Sequence, residues 1–114
     1  MSEKTLFSRI IAHEIPADII YEDERCVVFK DINPQAPFHV LVVPVQVIPK
    51  VSDAEATDEA LLGQLLRVAA KVAIEAGYGA AFRLAINNGA GAGQTVFHLH
   101  VHVLAGRALS WPPG

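Results

Sequence analysis

The chain has 114 residues, a formal charge of −3 at neutral pH, one cysteine, and an apolar fraction of 52% with a mean hydropathy of +0.34. That length suits a single domain over residues 1–114 with a real core, and the lone Cys26 excludes both an internal disulfide and a thiolate metal site. No apolar run approaches the ~18 residues that span a bilayer, and the dispersed lysines and arginines offer no stripe for a nucleic-acid backbone.

The start, Met1-Ser2-Glu3-Lys4-Thr5, is polar and lacks the basic head, apolar stretch and cleavage site of a secretory signal, so a cytoplasmic location is expected. Residues from about Lys4 to His13 carry Leu6, Phe7, Ile10 and Ile11 at helical spacing and stop before Pro16. This predicts a short first helix, with His13 at its end as a solvated residue or one that complements the charge of the helix C-terminus. Ile19 to Glu22 and Arg25 to Asp31 are β-type runs separated by Asp23-Glu24, as in a tight hairpin, and Cys26 reads as packing. Phe29 and Asp31 then share a strand face. His39 to Val45, introduced by Asn33, Pro34 and Pro37, is a third strand that places His39, Leu41 and Val43 together.

Ser52 to Ala76 predicts the long helix. Ser52 with Glu55 resembles a capping box, Leu61, Leu65, Val68, Ala69, Val72 and Ala76 form its apolar stripe, and Gly77 suits a left-handed exit. Two further strands follow, Phe82 to Asn88 and Val96 to Leu104, joined by a loop in which Gly89, Gly91 and Gly93 alternate with other residues. The order predicts an α+β domain with a five-stranded, mainly antiparallel sheet, one short and one long helix, and the helices on one face.

His98-Leu99-His100-Val101-His102 is the most telling stretch. Alternation on a strand aims His98, His100 and His102 to one side, roughly 7 Å apart, while Leu99, Val101 and Val103 fill the other. Neutral imidazole is a nucleophile near pH 7 and imidazolium is an acid, so such a row can attack an electrophile and protonate its leaving group. The glycine-alternating loop before it can bring backbone N–H groups to an anion, with Thr95 adding a hydroxyl, which makes phosphorus a natural electrophile. A metal shell built on His-x-His competes on equal terms at this level.

His98-Leu99-His100-Val101-His102-Val103-Leu104 resembles the signature of the histidine triad superfamily, in which histidines alternate with apolar residues. Leu6-Phe7-Ser8-Arg9-Ile10-Ile11, Asp31-Ile32-Asn33-Pro34, Pro37-Phe38-His39-Val40-Leu41-Val42-Val43-Pro44 and Trp111-Pro112-Pro113-Gly114 are similar to its nucleotide-binding branch. The resemblance implies a homodimer with a continuous ten-stranded sheet, no cofactor, and two-step hydrolysis of purine nucleoside phosphoramidates. By the same comparison His100 is the nucleophile that becomes nucleotidylated and His98 orients it. His102 contacts phosphate and assists proton transfer, and His39 is a fourth, upstream histidine.

Asp31 matches the ribose-binding acid, Phe29 and Ile32 the base pocket, and Asn87, Gly93 and Thr95 the phosphate side, while Trp111 corresponds to a residue that reaches the partner subunit's site. Related alternatives are a dinucleoside polyphosphate hydrolase, a nucleotidyl transferase, or a nucleotide-binding regulatory or scaffold protein. Two departures stand out. Thr5 and Ser8 occupy the places of a Cys-x-x-Cys common in relatives, so no structural zinc is expected, and Val47 stands where a further histidine is frequent.

Overall fold

The structure, a computed structural model, describes residues 4–114; the polar Met1-Ser2-Glu3 start lies outside them. Helix α1 spans Leu6–Ile11, strands β1 Ile19–Glu22, β2 Cys26–Lys30 and β3 Phe38–Pro44 follow, then helix α2 Glu59–Glu75 and strands β4 Phe82–Ala85 and β5 Val101–Ala105. The five strands form one antiparallel sheet in the order β1-β2-β3-β5-β4. No helix among the described residues is long and apolar enough to cross a membrane.

The β1–β2 hairpin closes on Asp23. Its Oδ1 accepts from the N–H groups of Arg25 and Cys26 at 2.7 and 2.8 Å, and its own N–H donates to Cys26 O. An aspartate satisfies those orphan donors where an apolar residue would leave them bare. The Cys26 thiol is fully buried and pushed up to about 12, mainly by burial, which leaves it an inert packing group.

One expectation is overturned by the packing. The two helices do not share a face of the sheet. Helix α2 lays Leu61, Leu65, Val68, Ala69, Val72 and Ala73 over Cys26, Val28, Val40, Val42, Leu99, Val101 and Val103. Helix α1 instead packs Phe7 and Ile10 on the opposite face, against Val27, Phe29, Leu41 and Val43. Both β2 and β3 are thus buried on two sides, which is why they read as continuous apolar runs rather than as a clean alternation.

Two element boundaries also move. The long helix starts at Glu59, seven residues after Ser52, because Val51–Asp53 and Ala56–Asp58 form separate 3-10 turns. Ser52 does not cap; its N–H donates to Asn88 Oδ1 at 2.9 Å, and the Glu55 N–H is taken by Asp58 Oδ2. The last strand begins at Val101 rather than Val96. The ladder with β3 runs from Phe38↔Ala105 to Val42↔Val101, and Pro44, at the end of β3, has no N–H with which to extend it. Leu99 N–H turns to Ile48 O at 2.7 Å instead. Strand β4 likewise stops at Ala85, opposite His102, so Asn87 and Asn88 enter the loop.

Candidate active site

The histidine stretch straddles the end of β5. His102 lies in the strand opposite Leu41, whereas His98 and His100 precede it. Alternation survives this change, since Leu99, Val101 and Val103 point into the α2 core while the histidines face the α1 side. The imidazoles of His100 and His102 pack at 4.9 Å between centroids, and His100 meets the edge of Phe7 at 5.0 Å.

Hydrogen-bond partners fix the protonation of each ring. His98 is fully buried, and its Nε2 lies 2.8 Å from Pro44 O, which can only accept, so Nε2 carries the proton and Nδ1 is bare. Thr5 Oγ1, 2.7 Å from that Nδ1, donates to it. His100 Nδ1 lies 2.8 Å from His98 O and must donate there, which leaves the Nε2 lone pair of a neutral His100 unprotonated. His39 Nδ1 accepts from Gln35 N–H at 3.0 Å, so its proton sits on Nε2, 2.9 Å from His102 Nδ1 and 3.4 Å from Asp31 Oδ2. His102 Nδ1 therefore accepts, and its Nε2–H is a donor.

Electrostatics keep these rings neutral. Burial is the leading cause that lowers His39, His98 and His100 below the usual imidazole value. His102 is lowered furthest, to about 4, by burial and then by repulsion from His100 and His39. The row thus presents one bare nitrogen and one N–H side by side.

A cavity of about 320 Å³ opens in front of His100 and His102. Its walls include Phe29, Asp31 and Ile32 from the end of β2, and Asn87, Gly93 and Thr95 from the β4–β5 loop. Every nucleotide-binding candidate read from the sequence meets in this one space. Leu6, Phe7 and Ile10 of α1 roof it, and Phe7 stands edge-on to Phe29 at 5.3 Å. Ile32 is 99% exposed, an apolar lip with nothing yet against it.

Asp31 is fixed by its neighbours. Its N–H donates to His39 O, and its Oδ1 accepts from Asn33 N–H at 2.8 Å, which leaves Oδ2 turned toward His39 and the cavity. Gly93 has φ +96, a left-handed conformation that favours glycine, and a Cβ there would meet Asn87 Nδ2 at 3.7 Å.

Sequence reasoning missed the strut of this loop, Gln94. It is buried, accepts from Gly89 N–H at 2.8 Å, and donates to Pro49 O at 2.7 Å and Val96 O at 3.0 Å. A single long amide among glycines was the available signal. Also missed were Gln35, whose N–H sets His39, and the contact of Thr5 with His98. His13, read as solvated, is exposed and pairs with Glu22 at 3.0 Å. Trp111 is 79% exposed and lies outside the cavity, with Arg83 over its ring at 5.9 Å.

Asp31, His39 and His102 each bring a ligand atom within 4.8 Å of the others, so they are the set that could approach a cation. Their donor chemistry fits a hydrogen-bond relay better. His39 aims its proton at His102 Nδ1, and a metal bound to both rings would have to displace it.

Comparison with known proteins gives the family and the fold. The family profile described as "HIT domain" matches residues 12–109. An uncharacterized HIT-like protein of Synechocystis sp. is 60% identical over 114 residues, all of both chains. The purine nucleoside phosphoramidase of Escherichia coli K12 is 46% identical over 110 residues, 96% of this chain and 92% of its own. Among solved structures, a HIT family hydrolase from Legionella pneumophila superposes with a TM-score of 0.95 at 41% identity, covering 97% of this chain and 100% of that one. A histidine triad protein from Clostridium difficile gives 0.91 at 38%, over 96% and 97%. The chain belongs to the HIT, or histidine triad, family.

Proposed function

We propose that the protein hydrolyses purine nucleoside 5′-phosphoramidates through a nucleotidyl-His100 intermediate. The observation that carries this reading is the bare Nε2 of His100 beside the Nε2–H of His102 at one cavity wall. Attack by that lone pair on phosphorus expels the amine, which takes a proton as the P–N bond breaks. The adjacent donor is His102: the negative charge of a bound phosphate raises its proton affinity, so the ring takes up a proton with the substrate, gives its Nε2 proton to the departing amine and returns to the neutral form. The positive charge on the nucleotidylated ring is shared through Nδ1–H with His98 O. Water then attacks phosphorus as its proton passes to the bare Nε2 of His102, and the bond from phosphorus to His100 breaks, releasing the nucleoside monophosphate and neutral His100.

In this reading Asp31 binds the ribose hydroxyls, Phe29 and Ile32 hold the base, and Asn87, Gly93 and Thr95 serve the phosphate side. The E. coli relative, a purine nucleoside phosphoramidase, supports both the P–N bond and the purine base. A homodimer belongs to the same proposal. Strand β4 ends the sheet, and Leu66, Ile74 and Ile86 are exposed apolar residues suited to a second copy. Pairing of two β4 edges yields a ten-stranded sheet and brings Trp111 toward the partner's site.

The test is steady-state hydrolysis of adenosine 5′-phosphoramidate with EDTA present. Wild-type protein should turn over, and His100→Ala should lose about three orders of magnitude or more. Faster cleavage of diadenosine polyphosphate at equal concentration, or no loss in the variant, overturns the reading.

A further inference from the structure

Thr5 lies 93 residues from His98 in sequence, yet its hydroxyl sits 2.7 Å from the His98 ring. The same oxygen accepts from Ser8 N–H at 2.9 Å, as the N-cap of α1. These two bonds are compatible only in one way. A hydroxyl has one proton and two lone pairs, so it accepts from Ser8 and gives its proton to His98 Nδ1. Asparagine, serine and aspartate all cap helices well, but aspartate has no proton to give.

The receiving ring is fully buried, and water has no access to replace a lost donor. His98 is thereby held at two points, by Thr5 on Nδ1 and by Pro44 O on Nε2. Its own carbonyl is the acceptor that keeps the His100 proton on Nδ1. The chain of dependence runs from the cap of α1 through His98 to the reactive nitrogen.

We infer that Thr5 is a positioning residue for the nucleophile: its hydroxyl donates to His98, and the seated His98 holds His100 in the tautomer that attacks. This rests on His100 being the nucleophile of the proposed hydrolysis. It gives α1 two tasks, since Leu6, Phe7 and Ile10 of the same helix roof the nucleoside cavity. Thr5 thus supplies a hydrogen-bond donor used inside the triad.

Thr5→Asp separates capping from donation. The carboxylate still accepts from Ser8 N–H but attracts a proton onto His98 Nδ1 in place of donating one. Expected are a melting temperature close to wild type, adenosine 5′-monophosphate affinity retained, and kcat for adenosine 5′-phosphoramidate reduced about tenfold or more. The 15N resonances of His98, read without substrate, should move from the Nε2–H tautomer to imidazolium. Thr5→Ser, which keeps the proton, should restore both kcat and the neutral spectrum. Ser8→Ala, which breaks the reciprocal cap while sparing Thr5 Oγ1, should leave kcat near wild type. An unchanged His98 spectrum with wild-type kcat in Thr5→Asp overturns the assignment, as does a kcat loss matched by equal loss of nucleotide affinity. Wild-type inactivity overturns the hydrolase reading alone, because the His98 tautomer is measured on the protein by itself.

Discussion

The two faces of the sheet are built to different rules. Under α2, fourteen buried residues make one apolar cluster. Under α1 the buried apolar cluster is six residues, and beside it lie His39, His98 and His100, each 7% exposed or less, at the edge of an open cavity. The first face can be held by area alone, since apolar contact is non-directional. The second depends on directed bonds, because an imidazole nitrogen shut away from water costs free energy unless it is matched. Among the described residues none of the buried side-chain nitrogen or oxygen atoms lacks a partner. The contrast explains how one thin sheet can be both anchor and reaction surface.

The widest test of the contrast is to open a hole under α2. Leu65 is 1% exposed in the centre of that cluster, and Leu65→Ala should cost about 2–5 kcal/mol in chemical denaturation. Activity per folded molecule should be retained. A loss of kcat in the folded variant would show that the two faces are coupled.

A smaller effect, confined to the other face, is expected for Asp31→Ala. Loss of charge-assisted hydrogen bonds to ribose should weaken adenosine 5′-monophosphate binding by about 1.5–3 kcal/mol, with little change in global stability. Isothermal titration calorimetry of the variant checks this, and unchanged affinity would remove Asp31 from the nucleoside site.

The mildest perturbation is pH. All four histidines of the site have folded values below that of the unfolded chain, so the unfolded chain takes up protons first as pH falls. Their contribution is fully present above about pH 6.5. It is lost progressively below that, for His102 down to about 4. Melting temperature should therefore decline as pH falls from 7 toward 4. The acid limb of kcat/KM should lie below the ordinary imidazole value, as His100 is protonated late. An acid limb above pH 7 would contradict a neutral, buried nucleophile.

Much of this was readable in the sequence, where one local pattern decided the outcome. The stripe of α2 repeats over several turns, and the β-branched runs have no competing pattern, so existence and type of these elements followed directly. Of the residues singled out in the sequence, Asp31, Asn87, Gly93, Thr95, His100 and His102 line one cavity, and His39 bonds to His102 behind it. What failed was set by partners far along the chain. Val96 to His100 reads as strand, but a strand needs a ladder, and β3 runs out of N–H donors at Pro44. The side chosen by α1 depends on which sheet face was left uncovered. The bond from Thr5 to His98 crosses 93 residues with no periodicity to announce it.

The strand order has a consequence for biogenesis. Strand β5, the last in chain order of the described elements, sits between β3 and β4 in the sheet. A nascent chain that ends short of Val101 has β3 with one open edge and β4 with no neighbour at all. The same chain holds neither Val101 and Val103 for α2 nor any of the three triad histidines for α1 when it ends before His98. Core, sheet and site are all completed by one late insertion. Synthesis errors that remove β5 thus yield an unpaired, aggregation-prone sheet edge rather than a folded but inactive protein.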